Sequence, residues 1–393
     1  MSSRTRSVLA LNLGSASLKA ASFEWLPDGG SRDIRPHETG RVSSESGRHA
    51  PGTGAEDAES LLASVVRELP TPGLQPDVVA HRIVHGADRA GPVELTPETI
   101  VQLQTLSVWA PLHQPAALAL VQAAIRRWPA AQQIGVFDTS WHQTMPEKHR
   151  IFPIPYAHYL RGVKRYGFHG LAFQSAIRQL SRIAPDLSTG RLVLAHLGGG
   201  SSLCAVLDGR SVNTTMGLTP LAGVPMGSRS GSLDPGVLLH LQRELGMAPD
   251  EIDQLLWSQS GLMGLSEESG DMRMLLASKS NGARRAIEVY VSEIVQGIAS
   301  MAACVGGIDG LVFSGGIGAH AAEIRARVCG RLRWLGLELD DELNQTDAVE
   351  LSSRHAAART FAVGIDEQEE LARAVWTIPG SVDSPGSPLC RRE

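Results

Sequence analysis

The sequence predicts an α/β protein made of one duplicated motif, with two lobes and a cleft between the copies. The chain has 393 residues, of which 42% are hydrophobic and 20% charged. At roughly 100–200 residues per domain that is two or three domains, each with a core of its own. Short apolar runs of strand length alternate with stretches of helical period. The run LALNLGSASL at residues 9–18 is echoed by LAHLGGGSSL at residues 194–203, and each reads as strand, small-residue turn and returning strand.

Residues 8–13 are apolar except for Asn12, the mark of a buried strand. Gly14, Ser15, Ala16 and Ser17 form the turn, and residues 18–25 return as a strand. Residues 27–31 read as a turn, and residues 41–57 as a polar loop or edge hairpin. A helix follows over 58–68 and a strand over 78–84. Helices are expected over 97–108 and 115–127, with a break at 110–113, then a short strand over 134–137. From residue 140 the order begins again. Residues 171–183 are helical, 191–196 a strand, 197–201 a glycine turn and 203–207 the returning strand. Helical periodicity marks 235–245, 249–257 and 283–306. A strand over 310–313 leads into a glycine loop at 314–318. Helices are expected over 321–332 and 367–375, before a frayed tail after Pro379.

A net charge of −5 argues against a chain-wide nucleic-acid footprint, while a local anion site remains allowed. Cys204, Cys304, Cys329 and Cys390 are too scattered for a zinc knuckle or a CxxC pair, and read as reduced structural thiols. The N-terminus lacks a secretory pattern. Residues 295–317 are apolar but contain Gln296, Asp309 and several glycines, so no membrane span is expected. The expected setting is soluble and cytoplasmic, with neither nucleic-acid nor membrane partner.

Several polar residues sit where an apolar run would exclude them. Asn12 ends a buried strand, and Ser15, Ser17 and Lys19 surround the turn that follows. No GxxxxGK[ST] or GxGxxG pattern is present, so a nucleotide would be held by another architecture. Small-residue hairpin turns expose backbone N–H groups that can cradle phosphate. Arg82 interrupts a core strand, and Arg229 lies among small residues in MGSRSG. Either arginine suits a salt bridge, and two acting on one phosphoryl group would form a clamp. Asp138 ends a strand, a common place for working carboxylates in α/β folds. His113, His142, His169 and His196 occupy similar settings. No HExxH or other close metal spacing occurs. His169 and His196, each followed by glycine within two residues, are the candidates for phosphate contacts.

In chain order, these segments resemble the acetate kinase family, within the superfamily of actin-like, sugar-kinase and heat-shock-chaperone-type ATPases. The matching stretches are residues 12–19, 81–86, 110–115, 136–146, 165–170, 196–209, 214–235, 269–273 and 312–318. The resemblance implies a duplicated actin-like, ribonuclease H-like fold with a central catalytic cleft. Residues 1–139, completed by 366–393, would form one lobe and 140–365 the other, with a homodimer through the second. It implies reversible transfer of the γ-phosphoryl group of ATP to a short carboxylate, giving an acyl phosphate and ADP. Mg²⁺ would assist, with Mn²⁺ as the substitute.

Residue by residue, Asn12 and Glu367 match metal-site positions. Arg82, Arg229, Asp138, His113 and His169 match catalytic ones. Ser15, Ser17, Lys19, His196, Gly198, Gly199 and Gly200 match the nucleotide-side turns. Asp271, Met272, Arg273, Gly316, Ile317 and Gly318 match the adenosine side. Val84, Leu112, Phe168 and Pro220 match the small acyl pocket. Acetate is the first expectation and propionate the second, since one methylene changes discrimination by only about 1–3 kcal/mol.

The chain departs from the family pattern at four places. Gly199 and Gln114 each stand where asparagine is usual. Ala319-His320 replaces Glu-Asn, and Ala87-Asp88 replaces Gly-Glu. Two other classes stay in view. A conformational ATPase of the same fold would hydrolyse ATP without acetate, and a weak sensor would bind nucleotide without forming acyl phosphate. Direct in-line transfer is expected, with an aspartyl-phosphate intermediate as the competing route.

Overall fold

The computed structural model describes residues 6–14, 17–25, 36–45, 55–346, 348–376 and 378. The chain divides into two compact units, Met1–Ser140 with Asp366–Glu393, and Trp141–Ile365.

The first unit holds β1 (Arg6–Leu13), β2 (Ser17–Trp25), β3 (His37–Glu45), β4 (Val78–Ile83), β5 (Val93–Glu94) and β6 (Gln132–Phe137). Their order in the sheet is β3-β2-β1-β4-β6-β5. β1 and β2 form an antiparallel hairpin, and β1, β4 and β6 run parallel. Parallel strands are covered on both faces, which is why residues 8–13 are apolar but for Asn12. Leu9, Leu11 and Leu13 pack with Leu62 and Val65 of helix Ala55–Glu68 and with Leu120 and Ala124 of helix Gln114–Arg127. Helix Glu367–Val375 packs against β1 and β4 as well.

Of the stretch 41–57, expected as a loop or edge hairpin, the start is the edge-hairpin strand β3, which runs from His37 to Glu45 and pairs with β2; residues 46–54 lie outside the described residues, and Ala55 already opens helix Ala55–Glu68. β3 is an edge strand with none of its described side chains buried, made by backbone hydrogen bonds rather than burial, so it carries no apolar alternation to read. Lys19 is also unlike its sequence surroundings. It is exposed on β2 opposite Asn12, while its neighbours Leu18 and Ala20 are buried. The helix expected over 97–108 begins at Pro97 behind an N-cap from Thr96, then tightens into a 3₁₀ turn at Thr105–Trp109.

The second unit holds β7 (Arg191–Leu197), β8 (Ser201–Leu207), β9 (Arg210–Thr214), β10 (Gly310–Ser314) and β11 (Arg359–Ala362). Counted from the hairpin edge, their order is β9-β8-β7-β10-β11. That repeats β3-β2-β1-β4-β6 strand for strand, including an antiparallel hairpin followed by parallel neighbours. The echo between residues 9–18 and 194–203 is therefore a true duplication, the actin-like arrangement that the resemblance implies. Short β9 and β11 escape sequence reading because neither has a periodic run of its own.

Helix Asn281–Cys304 is long and apolar enough by composition to cross a membrane. Here Ala286, Tyr290, Ile294 and Ile298 are buried in the core of this unit with Ala195 and Leu203 of its sheet. Helix Gly170–Ile183 covers the opposite face through Phe173, Ala176 and Leu180. In the stretch 314–318, expected as a loop, Ser314 ends β10 and Gly315–Gly318 instead open helix Gly315–His320. Its glycines gave no helical signal. The helix is closed by buried Arg325, whose Nη1 donates to the carbonyls of Gly318 at 3.1 Å and Ala319 at 2.7 Å.

Two buried histidines give the fold an acid limit. His81 on β4 donates Nε2–H to Gln133 Oε1 at 2.8 Å, and burial pushes its pKa down to about 4. Burial likewise pushes His142 down to about 4. In the unfolded chain each titrates near ~6.5. Between these values the unfolded chain binds protons that the folded chain refuses. Stability therefore rises with pH through this window and is lost as pH falls from about 6.5 to about 4. By pH ~5 the expected loss is about 2 kcal/mol per histidine. It is read from urea midpoints at neutral pH and at pH ~5; equal midpoints would contradict it.

Candidate active site

In the first unit the parallel strands deliver polar side chains at neighbouring carboxyl ends. Asn12 lies near the end of β1, Arg82 near the end of β4, and Asp138 just after β6. Asp138 is 1% exposed and the Arg82 side chain 11%. Arg82 Nη2 donates to Asp138 Oδ2 at 2.7 Å, and Nε reaches both carboxylate oxygens at 3.1 and 3.2 Å. This is a two-nitrogen fork on a buried carboxylate. Arg82 Nη1 turns to Asn12 Oδ1 at 3.3 Å and Leu13 O at 3.4 Å. Asn12 Nδ2 donates to Glu367 Oε2 at 2.6 Å, across 355 residues of chain.

The charges act on one another. Burial alone would lower the pKa of Arg82, but Asp138 and Glu367 outweigh it and hold the guanidinium more firmly protonated than usual. Burial pushes the Asp138 carboxyl upward; Arg82 opposes this and Glu367 adds to it. The Asn12 amide oxygen and the Glu367 carboxylate are oxygen donors suited to a hard cation. Mg²⁺ commonly takes only one or two carboxylates and keeps waters. Among the described residues no group of three or more His, Cys, Asp or Glu side chains forms a metal cage, which such a partly hydrated ion does not require.

Val84, just after β4, is buried, and Leu112 is 43% exposed. Half-buried His113 precedes helix Gln114–Arg127 at its N-cap position. Fully buried Gln114 grips the His85 peptide on both sides. It accepts from His85 N at 3.1 Å and donates to His85 O at 3.0 Å, with Leu103 O at 3.3 Å. Thr139 Oγ1 accepts from Gly86 N at 3.1 Å. Neither partner is readable locally, since each acts across more than 25 residues.

In the second unit His169 has φ 60° and ψ 27°, a left-handed conformation uncommon for any residue but glycine, and it occupies the N-cap position of helix Gly170–Ile183 without a capping bond from its side chain. Its Nδ1 pairs with Ser202 Oγ at 2.9 Å, and its ring centroid lies 4.8 Å from that of His196. His196 Nδ1 pairs with Ser314 Oγ at 3.2 Å. Gly200 is closely approached by two side chains. A Cβ there would lie 3.1 Å from His169 Nε2 and 3.7 Å from Arg229 Nη1. One narrow space is thus flanked by an imidazole and a guanidinium, donors suited to anionic oxygens. Arg229 is 9% exposed, its Nη1 donates to Pro220 O at 3.1 Å, and its guanidinium lies 5.5 Å from the centre of the Trp257 ring. Phe168 and Pro220 are buried.

In the glycine turn, Gly227 N donates to Gly199 O at 3.1 Å, and Gly198 N to Ser201 Oγ at 3.2 Å. Gly199 is exposed, and a Cβ there would meet nothing within 4 Å. An asparagine side chain would have room, so steric crowding does not explain the glycine. Asp271 caps helix Met272–Ala277 and pairs with Arg273 at 2.6 Å; the Arg273 side chain is 91% exposed. Met272 is buried in the core, as are Ile317 and Gly318, whereas Gly316 is exposed. Ser17 opens β2, and Ser15 lies outside the described residues.

Comparison with known proteins follows this geometry. The profile of the Acetokinase family matches residues 7–374. An acetate kinase of Rhodopseudomonas palustris (strain TIE-1) is 42% identical over 390 residues, spanning 94% of this chain and 98% of that protein. An acetate kinase of Methylocella silvestris is 39% identical over 391 residues, spanning 94% and 97%. Among solved structures, Porphyromonas gingivalis acetate kinase superposes with a TM-score of 0.77 at 30% identity, over 95% of this chain and 99% of that one. A propionate kinase of Francisella tularensis gives 0.80 at 28% identity, over 94% and 98%.

Proposed function

The chain belongs to the acetokinase family, and on that premise we propose that it reversibly transfers the γ-phosphoryl group of ATP to acetate, giving acetyl phosphate and ADP. The observation that carries this reading is the Arg82 fork on buried Asp138, tied through Asn12 to Glu367. Phosphoryl transfer asks a protein for alignment and charge neutralisation rather than a covalent nucleophile. An acetate oxygen attacks the γ-phosphorus in line, the bond to the β–γ bridging oxygen breaks, and ADP leaves with that electron pair. Acetate is already ionised near neutral pH, so no strong base is needed. Arg82 offsets the charge of the two reacting anions, and Asp138 fixes the plane of its guanidinium. His169 Nε2 and Arg229 donate to the phosphoryl oxygens as they become planar. Asn12 and Glu367 would hold Mg²⁺, or Mn²⁺ in its place. When bound, that ion reduces repulsion between the phosphates and the carboxylate. His196 and the turn at Gly198–Gly200 serve the nucleotide phosphates, and helix Gly315–His320 with Asp271 serves the adenosine.

Val84, Leu112, Phe168 and Pro220 are assigned to the acyl pocket, which suits acetate. Propionate is the second reading, favoured by the likeness to the Francisella propionate kinase. We assign a cytoplasmic setting and a homodimer through the second unit. Helix Pro235–Arg243 supports the dimer: it buries none of its residues and presents Val237, Leu238 and Leu239 to solvent.

Acyl phosphate trapped with hydroxylamine tests the activity, with acetate, propionate, butyrate and formate each offered ATP, GTP or pyrophosphate. The highest kcat/KM is expected for acetate with ATP. ATP hydrolysis indifferent to acetate and yielding no hydroxamate would overturn the proposal.

A further inference from the structure

His142 is a fully buried histidine outside the site assigned above, in the 3₁₀ turn Ser140–Thr144. Its Nε2 lies 2.9 Å from the carbonyl oxygen of Phe168, and its Nδ1 2.8 Å from Ser211 Oγ. A carbonyl only accepts, so Nε2 carries the proton. In a neutral ring Nδ1 then accepts from the Ser211 hydroxyl. Burial keeps the ring in that neutral form near pH 7.

The bond falls on the peptide that joins Phe168 to His169. His169 holds its left-handed backbone there, and such outliers persist only where their surroundings over-determine them. The constraints are visible. Gly167 has φ 78°, and a Cβ on it would lie 2.6 Å from both His142 Cδ2 and Thr214 Cγ2. Tyr166 N and Gly167 N both donate to Gly217 O, at 3.0 and 3.3 Å. The Phe173 ring stands edge-on to both His142 and His196, with centroids 5.7 and 6.4 Å apart. His142 takes the carbonyl immediately before His169.

We propose that His142 is a positioning residue that fixes the Phe168–His169 peptide, so that His169 Nε2 faces the space beside Gly200. This rests on the reading that His169 contacts the transferring phosphoryl group. A small displacement of such a donor costs turnover rather than nucleotide affinity.

The test uses the full-length enzyme and steady-state kinetics of acetyl phosphate formation. His142→Phe keeps a ring and loses both hydrogen bonds. It should fold, lower kcat about tenfold or more, and leave the KM for ATP within about twofold. His142→Gln returns an amide N–H near the Nε2 position and should recover part of kcat. His169→Ala should itself lower kcat, and adding His142→Phe to it should cost nothing further, because two groups acting as one unit are not additive. Should His142→Phe fail to fold, Ser211→Ala removes one of the two bonds and should give a smaller loss with the same dependence on His169. An unchanged kcat in the folded His142→Phe enzyme would overturn the proposal. So would a loss that persists in full without the His169 imidazole. If His169→Ala alone has no effect, the assignment of His169 itself fails, and this proposal with it.

Discussion

Asp138→Asn is expected to lower kcat for acetyl phosphate formation by about three orders of magnitude while the fold survives. The carboxylate is 1% exposed and takes both Arg82 Nε and Nη2. An asparagine keeps the shape but presents one acceptor where two stood, so the guanidinium loses its fixed plane. Removing one preorganised electrostatic partner typically costs ~10²–10³ in turnover, and here two act together, since Arg82 also reaches Asn12. Arg82→Ala should do at least as much. It strips the cluster of its cation and leaves Asp138 a buried, unpaired charge, which destabilises by about 3–5 kcal/mol. Asparagine is thus the cleaner variant, because it leaves no uncompensated carboxylate. Near-normal kcat in folded Asp138→Asn, with urea unfolding unchanged, would sink the assignment.

Arg229→Lys is expected to fail as a conservative change, with kcat falling by about two to three orders of magnitude. The guanidinium lies over Trp257 and donates to Pro220 O, so its orientation is set by a ring and by a carbonyl together. An ammonium group has no plane to stack and no fork to aim. Both Arg229→Lys and Arg229→Ala should therefore lose turnover to a similar extent. If lysine restored most of the activity lost with alanine, charge alone would suffice and the argument from orientation would be wrong. Thermal unfolding checks that both variants keep the second unit intact.

Much of the candidate site was legible because each residue contradicts its local setting. Asn12 and Arg82 interrupt apolar strands, and Asp138 ends one; a buried polar group costs free energy unless it has a partner. The duplication was legible because strand, small-residue turn and strand is a local pattern that survives in LALNLGSASL and LAHLGGGSSL. Lys19 shows the limit of the same reasoning. Its apolar neighbours suggested burial, yet alternation along β2 turns it outward. Residues 315–320 show another limit: a helix rich in glycine is held by an arginine that follows it, not by its own propensity.

The sequence by itself determined the α/β class, the repeated hairpin, the family and the identity of the unusual polar residues. All of these rest on local periodicity, turn chemistry and motif order. Tertiary structure alone decided which polar residues are partnered. Asn12 meets Glu367, Gln114 grips the His85 peptide, Ser202 and Ser314 hold the two imidazoles, and His142 takes the Phe168 carbonyl. It also decided that β3 and β11 are strands. The physical reason is range. A strand period or a tight turn is written in a few neighbouring residues, whereas a hydrogen bond between groups tens to hundreds of residues apart exists only once sheet order brings the two ends together.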